Sequence, residues 1–220
     1  MHTFVLRPLP LPKPDQLVFI HPAATKTGAS MPSTWPDFQE WRQAGAPAFR
    51  SIAALQIDSF NLALGTRAHT VRGSRVNPDF FHVMGLAPEL GRTLTEEDDQ
   101  PGATPAVILS HRFWEAELGG DSNVIGRKLV IDGAPHTIAG VMPEALTFPG
   151  DFCDFWVPLQ ATPARYKRGD HVLAVVARLR DAGLLDEARS RLSAANQRLQ
   201  STFPEYNKDL PSSSRLCTNK

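Results

Sequence analysis

The sequence is poor in cysteine, in uncompensated charge and in long apolar runs, and each shortage removes a class of protein. Its two cysteines, Cys153 and Cys217, lie far apart, and Cys217 falls in a polar tail expected to be poorly ordered. Such a pair makes no disulfide-stapled scaffold; a single bridge stays open because spacing carries no bridge geometry, and the redox compartment stays open with it. Lys plus Arg and Asp plus Glu both number 23. Without a net field there is no electrostatic pull towards a polyanion, so nucleic acid is not an expected partner. No apolar run approaches the roughly 20 residues that cross a bilayer. The start, Met1 to Arg7, is too short and too soon followed by prolines for a signal peptide, so the sequence reads literally as a soluble, untargeted chain.

Catalytic patterns are missing as well. No Gly-x-x-x-x-Gly-Lys-Ser/Thr is present to wrap nucleotide phosphates, and no Gly-x-Gly-x-x-Gly opens a helix. The seven histidines include no pair at the three-to-five spacing that puts two ligands on one helical turn. The run Glu96-Glu97-Asp98-Asp99 lacks the spaced carboxylates of a calcium loop and reads as a solvated loop. Ser110-His111 lies outside any Gly-x-Ser-x-Gly elbow, so Ser110 is assigned as a helix cap. Arg165, Lys167 and Arg168, beside Tyr166, are too few for a nucleic-acid groove. Catalytic, cofactor-binding and metal residues are accordingly assigned as none, and the chain is expected not to be an enzyme. One rival reading, a hydrolase, would draw on the dispersed residues Asp37, His111 and His171.

What the sequence does have is a core and clear punctuation. A length of 220 residues with 42% hydrophobic content suits one large domain or two small lobes. Residues 6–14 alternate proline with other residues and predict an extended linker. Gln16 to Ile20 reads as a strand and Ala23 to Pro32 as a surface loop. Thr34-Trp35-Pro36-Asp37 has the capping hydroxyl, early proline and first-turn acid of a helix start, with Phe38 and Trp41 facing the core. From Ser51 to Leu64 the pattern drifts from helix-like to strand-like, and Thr70 to Val76 is a further strand. Asn77-Pro78-Asp79 predicts a capped short helix closed by Gly85, and Ala106 to Leu109 a strand running into the helix capped by Ser110.

Asp132-Gly133 between two apolar segments predicts a tight hairpin. Phe155 to Leu159 is another strand, followed by a basic loop over Arg165 to Gly169. Val172 to Arg180 alternates and predicts a half-buried strand. Leu185, Ala188, Leu192, Ala195 and Leu199 form one stripe of a helix whose cap position holds Leu184, a loss of about 1 kcal/mol unless another residue caps it. The expected fold is α+β, with mixed sheets, helices packed on them, two lobes and at least one antiparallel hairpin.

Segments in order along the chain carry a resemblance. They include Leu6-Arg7-Pro8-Leu9-Pro10, Pro36 to Arg42, Asn77-Pro78-Asp79-Phe80-Phe81, Leu90-Gly91-Arg92, Leu109-Ser110-His111, Gly119-Gly120-Asp121, Ile125-Gly126-Arg127, Gly140-Val141-Met142-Pro143 and Phe155 to Leu159. Together they resemble the MacB-like periplasmic core domain of ABC-transporter permeases, over roughly residues 5–208. The resemblance implies an extracytoplasmic domain inserted after a transmembrane helix, non-enzymatic, coupling ATP-driven motion to export or efflux through contact with partner or substrate. It implies as partners a permease membrane domain and a separate ATP-binding subunit, and leaves a homodimer open. The domains expected are a Pro-rich linker over 1–15, the core domain over 16–208 and a disordered tail over 209–220. Because the membrane helices of such permeases are missing from it, the chain is expected to be a fragment. The alternatives are a stand-alone soluble binding or scaffolding module on the same fold and a non-functional truncated remnant.

Overall fold

The computed structural model describes residues 11–22, 32–65, 67–148, 150, 152–207 and 214–218. In chain order its elements are β1 (Leu17–Pro22), α1 (Trp35–Gly45), β2 (Phe49–Leu64), β3 (Arg67–Val76), α2 (Asp79–Met84), β4 (Leu90–Gly91), β5 (Ala106–Leu109), α3 (His111–Leu118), β6 (Lys128–Ile131), β7 (Ala134–Val141), β8 (Phe155–Pro158), β9 (Ala174–Leu179), α4 (Leu185–Thr202), α5 (Pro204–Asn207) and β10 (Ser214–Thr218). The fold is α+β with mixed strand pairing, and it divides into two compact units. The first gathers chiefly residues 13–54 and 161–220, the second chiefly 55–160. Among the described residues no helix is long and apolar enough to cross a membrane.

In the first unit β1 lies between β9 and β10, antiparallel to both, and β9 also borders β2. Helix α1 begins with the predicted cap: Thr34 Oγ1 accepts the Asp37 N–H at 3.2 Å, and the Asp37 carboxylate accepts the Thr34 N–H at 3.3 Å. This reciprocal pair satisfies donors that a helix start leaves open. Phe38 and Trp41 are then fully buried, as are Ala188, Leu192 and Ala195 of the α4 stripe. Leu184 gives α4 no side-chain cap; instead Asp181 accepts the Gly183 N–H at 2.8 Å and starts a 3-10 turn over Ala182–Leu184 that runs into the helix.

Four expectations need correction here. Strand β9 is buried on both faces, since Val176 and Arg178 on one face are buried like Val175, Ala177 and Leu179 on the other, so its alternation does not mark a solvent face. The first residues of β2 are strand and not helix-like; Ile52, Ala53, Ala54 and Leu55 are all buried, which erases the period-two signal. Pro14–Gln16, at the end of the expected linker, form a 3-10 turn, while residues 1–10 of that linker and 23–31 of the expected loop lie outside the described residues. The tail expected to be disordered contains β10, which pairs with β1 over Val18↔Thr218 to Pro22↔Ser214 and buries Leu216. A strand edge with unpaired backbone groups orders a short segment whose own sequence signal is weak.

In the second unit β2 and β3 form a long antiparallel hairpin from Leu55↔Val76 to Leu64↔Arg67. Strand β8 runs parallel to β3 and antiparallel to β5, β5 parallel to β7, and β4 antiparallel to β7, while β6 pairs with both β2 and β7. The β6–β7 turn is the predicted one: Asp132 at φ 50° and Gly133 at φ 78° give the positive pair that a tight hairpin needs. Phe60, Leu62, Phe113, Ile138, Phe155 and Val157 lie in one apolar cluster. Helix α3 has the predicted cap, with Ser110 Oγ accepting the Phe113 N–H at 3.2 Å.

At the start of α2, Pro78 already has helical dihedrals, φ −56° and ψ −31°, and the Asn77 carbonyl accepts the Phe80 N–H at 3.0 Å. The acidic run is not simply solvated. Asp98 is 8% exposed, held by the Arg92 guanidinium at 2.5 and 3.0 Å and by the Thr95 N–H at 2.8 Å. Burial pushes its carboxyl up, but Arg92 and Thr95 outweigh that and leave it below the usual range.

Candidate functional site

A concave feature of the second unit is built by α3 and the segment that follows β7. Val141 delivers the chain to Met142 and Pro143, and Met142 N–H donates to the Leu109 carbonyl at 2.8 Å, fixing this segment against the strand that feeds α3. The Ser110 cap fixes the first turn of the helix. Between the two walls lies a cavity of about 820 Å³. Helix α3 contributes His111, Arg112 and Glu115, and its cap Ser110; Glu144 and Leu146 come from the opposite wall, and Cys153 adds to the floor.

The polar groups of this groove are mostly engaged. His111 Nδ1 lies 2.8 Å from Glu89 Oε2, and its ring meets Trp114 edge-on at 5.5 Å. Arg112 donates to Asp154. Burial holds the Asp154 carboxyl above its ordinary range, and the Arg112 charge opposes that shift. Arg112 also borders a shallower hollow where the Arg72 guanidinium sits 5.2 Å from the centre of the Phe152 ring. Cys153 is a buried free thiol whose Sγ lies 3.6 Å from Ser74 Oγ and donates to the Phe155 carbonyl at 3.4 Å. Burial pushes this thiol up to about 12, so it stays protonated and inert near neutral pH.

Of the dispersed hydrolase candidates, the first unit brings Asp37 and His171 within electrostatic reach of each other. Asp37 and His171 belong to the first unit and His111 to the second. The Asp37 carboxyl is raised by burial, with the Thr34 bonds and the charges of His171 and Arg168 opposing, and it is committed to the α1 cap. His171 Nδ1 lies 3.2 Å from the Pro32 carbonyl. Tyr166, in the basic loop, is 3% exposed and packs beside Trp35 at 6.5 Å. Among the described residues no three His, Cys, Asp or Glu side chains converge as a metal site. Sequence reading missed the groove residues Arg112, Glu115, Glu144 and Cys153. Its walls, however, grow from two segments that carried the resemblance, Leu109-Ser110-His111 and Gly140 to Pro143.

The described residues thus form an α+β domain of two compact units, the second carrying an open groove. The family of MacB-like periplasmic core domains matches residues 2–195, and the chain belongs to it. It is 25% identical over 107 residues to the macrolide export ATP-binding/permease protein MacB of Chromobacterium violaceum, covering 48% of this chain and 16% of that protein. Three solved structures share the fold. The extracellular domain of the noncanonic ABC-type transporter YknZ from Gram-positive bacteria is similar at a TM-score of 0.65, with 16% identity over 92% of this chain and 100% of that one. The periplasmic region of MacB from Actinobacillus actinomycetemcomitans gives 0.64, with 13% identity over 99% and 94%. A domain of a putative permease protein from Porphyromonas gingivalis gives 0.63, with 16% identity over 94% and 89%.

Proposed function

We propose that the chain works as the extracytoplasmic domain of a MacB-like ABC permease, transmitting the ATP-driven motion of a separate subunit to the partner or substrate that it contacts, without chemistry of its own. The observation that carries this reading is that the family match spans residues 2–195, through most of both compact units, instead of resting on one motif. The engagement of the reactive groups supports the non-enzymatic part. Ser110 and Asp37 act as caps, His111 is held by Glu89, and the Cys153 thiol is protonated. The partners are a permease membrane domain and an ATP-binding subunit, with a second copy of the domain across a homodimer.

The test is affinity capture of the tagged chain from its native cell, fractionated before detergent extraction. Recovery on the extracytoplasmic side of the membrane, together with a permease membrane domain and an ATP-binding subunit, is expected. Recovery from the cytosol without either would replace this reading with that of a stand-alone binding module.

A further inference from the structure

We propose that the groove between α3 and residues 143–147, with Cys153 below, is a binding site for a small organic cation, an apolar body carrying an amine. The argument is one of charge over an apolar floor, and it holds whether or not the chain serves a permease. Both basic side chains of the groove already have carboxylate partners, Glu89 for His111 and Asp154 for Arg112. Glu115 on α3 and Glu144 on the facing wall are exposed and have no ion-pair partner among the described residues. The rim is therefore negative.

The floor differs in kind. Leu146 and Cys153 are each 5% exposed, and the thiol, being protonated, adds no charge. A volume of about 820 Å³ falls within the range of small-molecule sites. An apolar skeleton gains by leaving water over Leu146, while an ammonium group at the rim keeps part of its hydration and feels two uncompensated carboxylates. A carboxylate in the same place meets like charge, and a neutral hydroxyl gains no ionic attraction. The groove thus ranks ligands of one skeleton by their head group.

Three probes sharing one skeleton, phenylbutylamine, phenylbutanol and phenylbutyrate, test the ranking by isothermal titration against the full chain. The amine is expected to bind most tightly, with its advantage shrinking at high salt. Glu115→Gln and Glu144→Gln should each weaken the amine about two- to fivefold, the range of an exposed ion pair, and leave the alcohol unchanged. Ala116→Arg, at an exposed position on the same wall, places a cation in the groove without touching the core and should abolish the preference. Equal binding of all three probes, no saturable binding of the amine, or an amine affinity indifferent to both glutamine variants would overturn the proposal. Preference for a lysine-bearing peptide over every small amine would overturn it in favour of a protein partner.

Discussion

The indole N–H of Trp41 donates to Asn196 Oδ1 at 2.7 Å across a separation of 155 residues, joining α1 to α4 inside the first unit. Trp41 is 0% and Asn196 2% exposed, so neither group can turn to water. Asn196→Leu keeps the volume but removes the acceptor, and an unsatisfied buried donor costs about 1–3 kcal/mol. Urea unfolding followed by circular dichroism should show a lower midpoint for this variant, and for Trp41→Phe, which removes the donor to Asn196 Oδ1 and leaves a cavity. The double variant should lose less than the two single losses added together; strict additivity would show that the bond contributes nothing.

Asp99 is the counterpart in the second unit, a carboxylate that holds backbone at a cost. It accepts the Gln160 N–H at 2.6 Å, and Gln160 sits at φ 46°, a conformation that needs such an anchor. Burial pushes the Asp99 carboxyl from 3.8 up to about 6; Gln160 and Leu159 N–H groups oppose the shift, and Glu96 and Asp98 add to it. Between those two values the folded chain binds more protons than the unfolded one, so stability falls as pH rises through the window, and the penalty is complete above it. Asn keeps an acceptor and carries no charge. Asp99→Asn should therefore raise Tm near pH 7.5 and leave it unchanged near pH 3.5, flags that differential scanning calorimetry reads directly. An equal Tm difference at both pH values would show that ionisation plays no part.

The features legible in the sequence are those that local chemistry decides. The Thr34 and Ser110 caps and the Asp132-Gly133 turn each depend on residues within a few positions, and all three form as expected. Tertiary context decides the rest. Burial on both faces hides the strand character of Ile52 to Leu55, and Asp98 leaves the solvated run only because Arg92 and the Thr95 N–H converge on it. The groove belongs to the same class, since its walls lie some thirty residues apart in the chain and meet through the Met142 to Leu109 hydrogen bond.

Two glycines separate backbone conformation from close approach. Gly133, at φ 78°, has open space where a side chain would project, so Gly133→Ala should cost about 1–2 kcal/mol through conformation alone, with Asn tolerated better than Ala. Gly140 has no such φ constraint, but a methyl group there would fall on the carbonyl oxygens of Arg92 and Leu90, which belong to backbone and cannot step aside. Gly140→Ala should destabilise by about 2–3 kcal/mol, and Gly140→Asn should be at least as damaging. Rescue by Asn at 133 and not at 140, read from denaturation midpoints, separates the two causes.

Cys153 yields the last prediction because it lines the groove yet is shielded from chemistry. Its sulfur donates to the Phe155 carbonyl and is 5% exposed within the residue, and burial raises the thiol to about 12. The thiolate is the reactive species, so at neutral pH the folded chain offers almost none of it. In a Cys217→Ser background, where Cys153 alone reports, a thiol-specific colorimetric reagent should react slowly at first and rapidly once urea unfolds the chain. The reaction rate should track the unfolded fraction and not the pH between about 6 and 8 beyond the intrinsic titration of a free thiol. Fast modification of the native chain would place Cys153 within reach of solvent and require a groove floor more open than Leu146 and Cys153 form here.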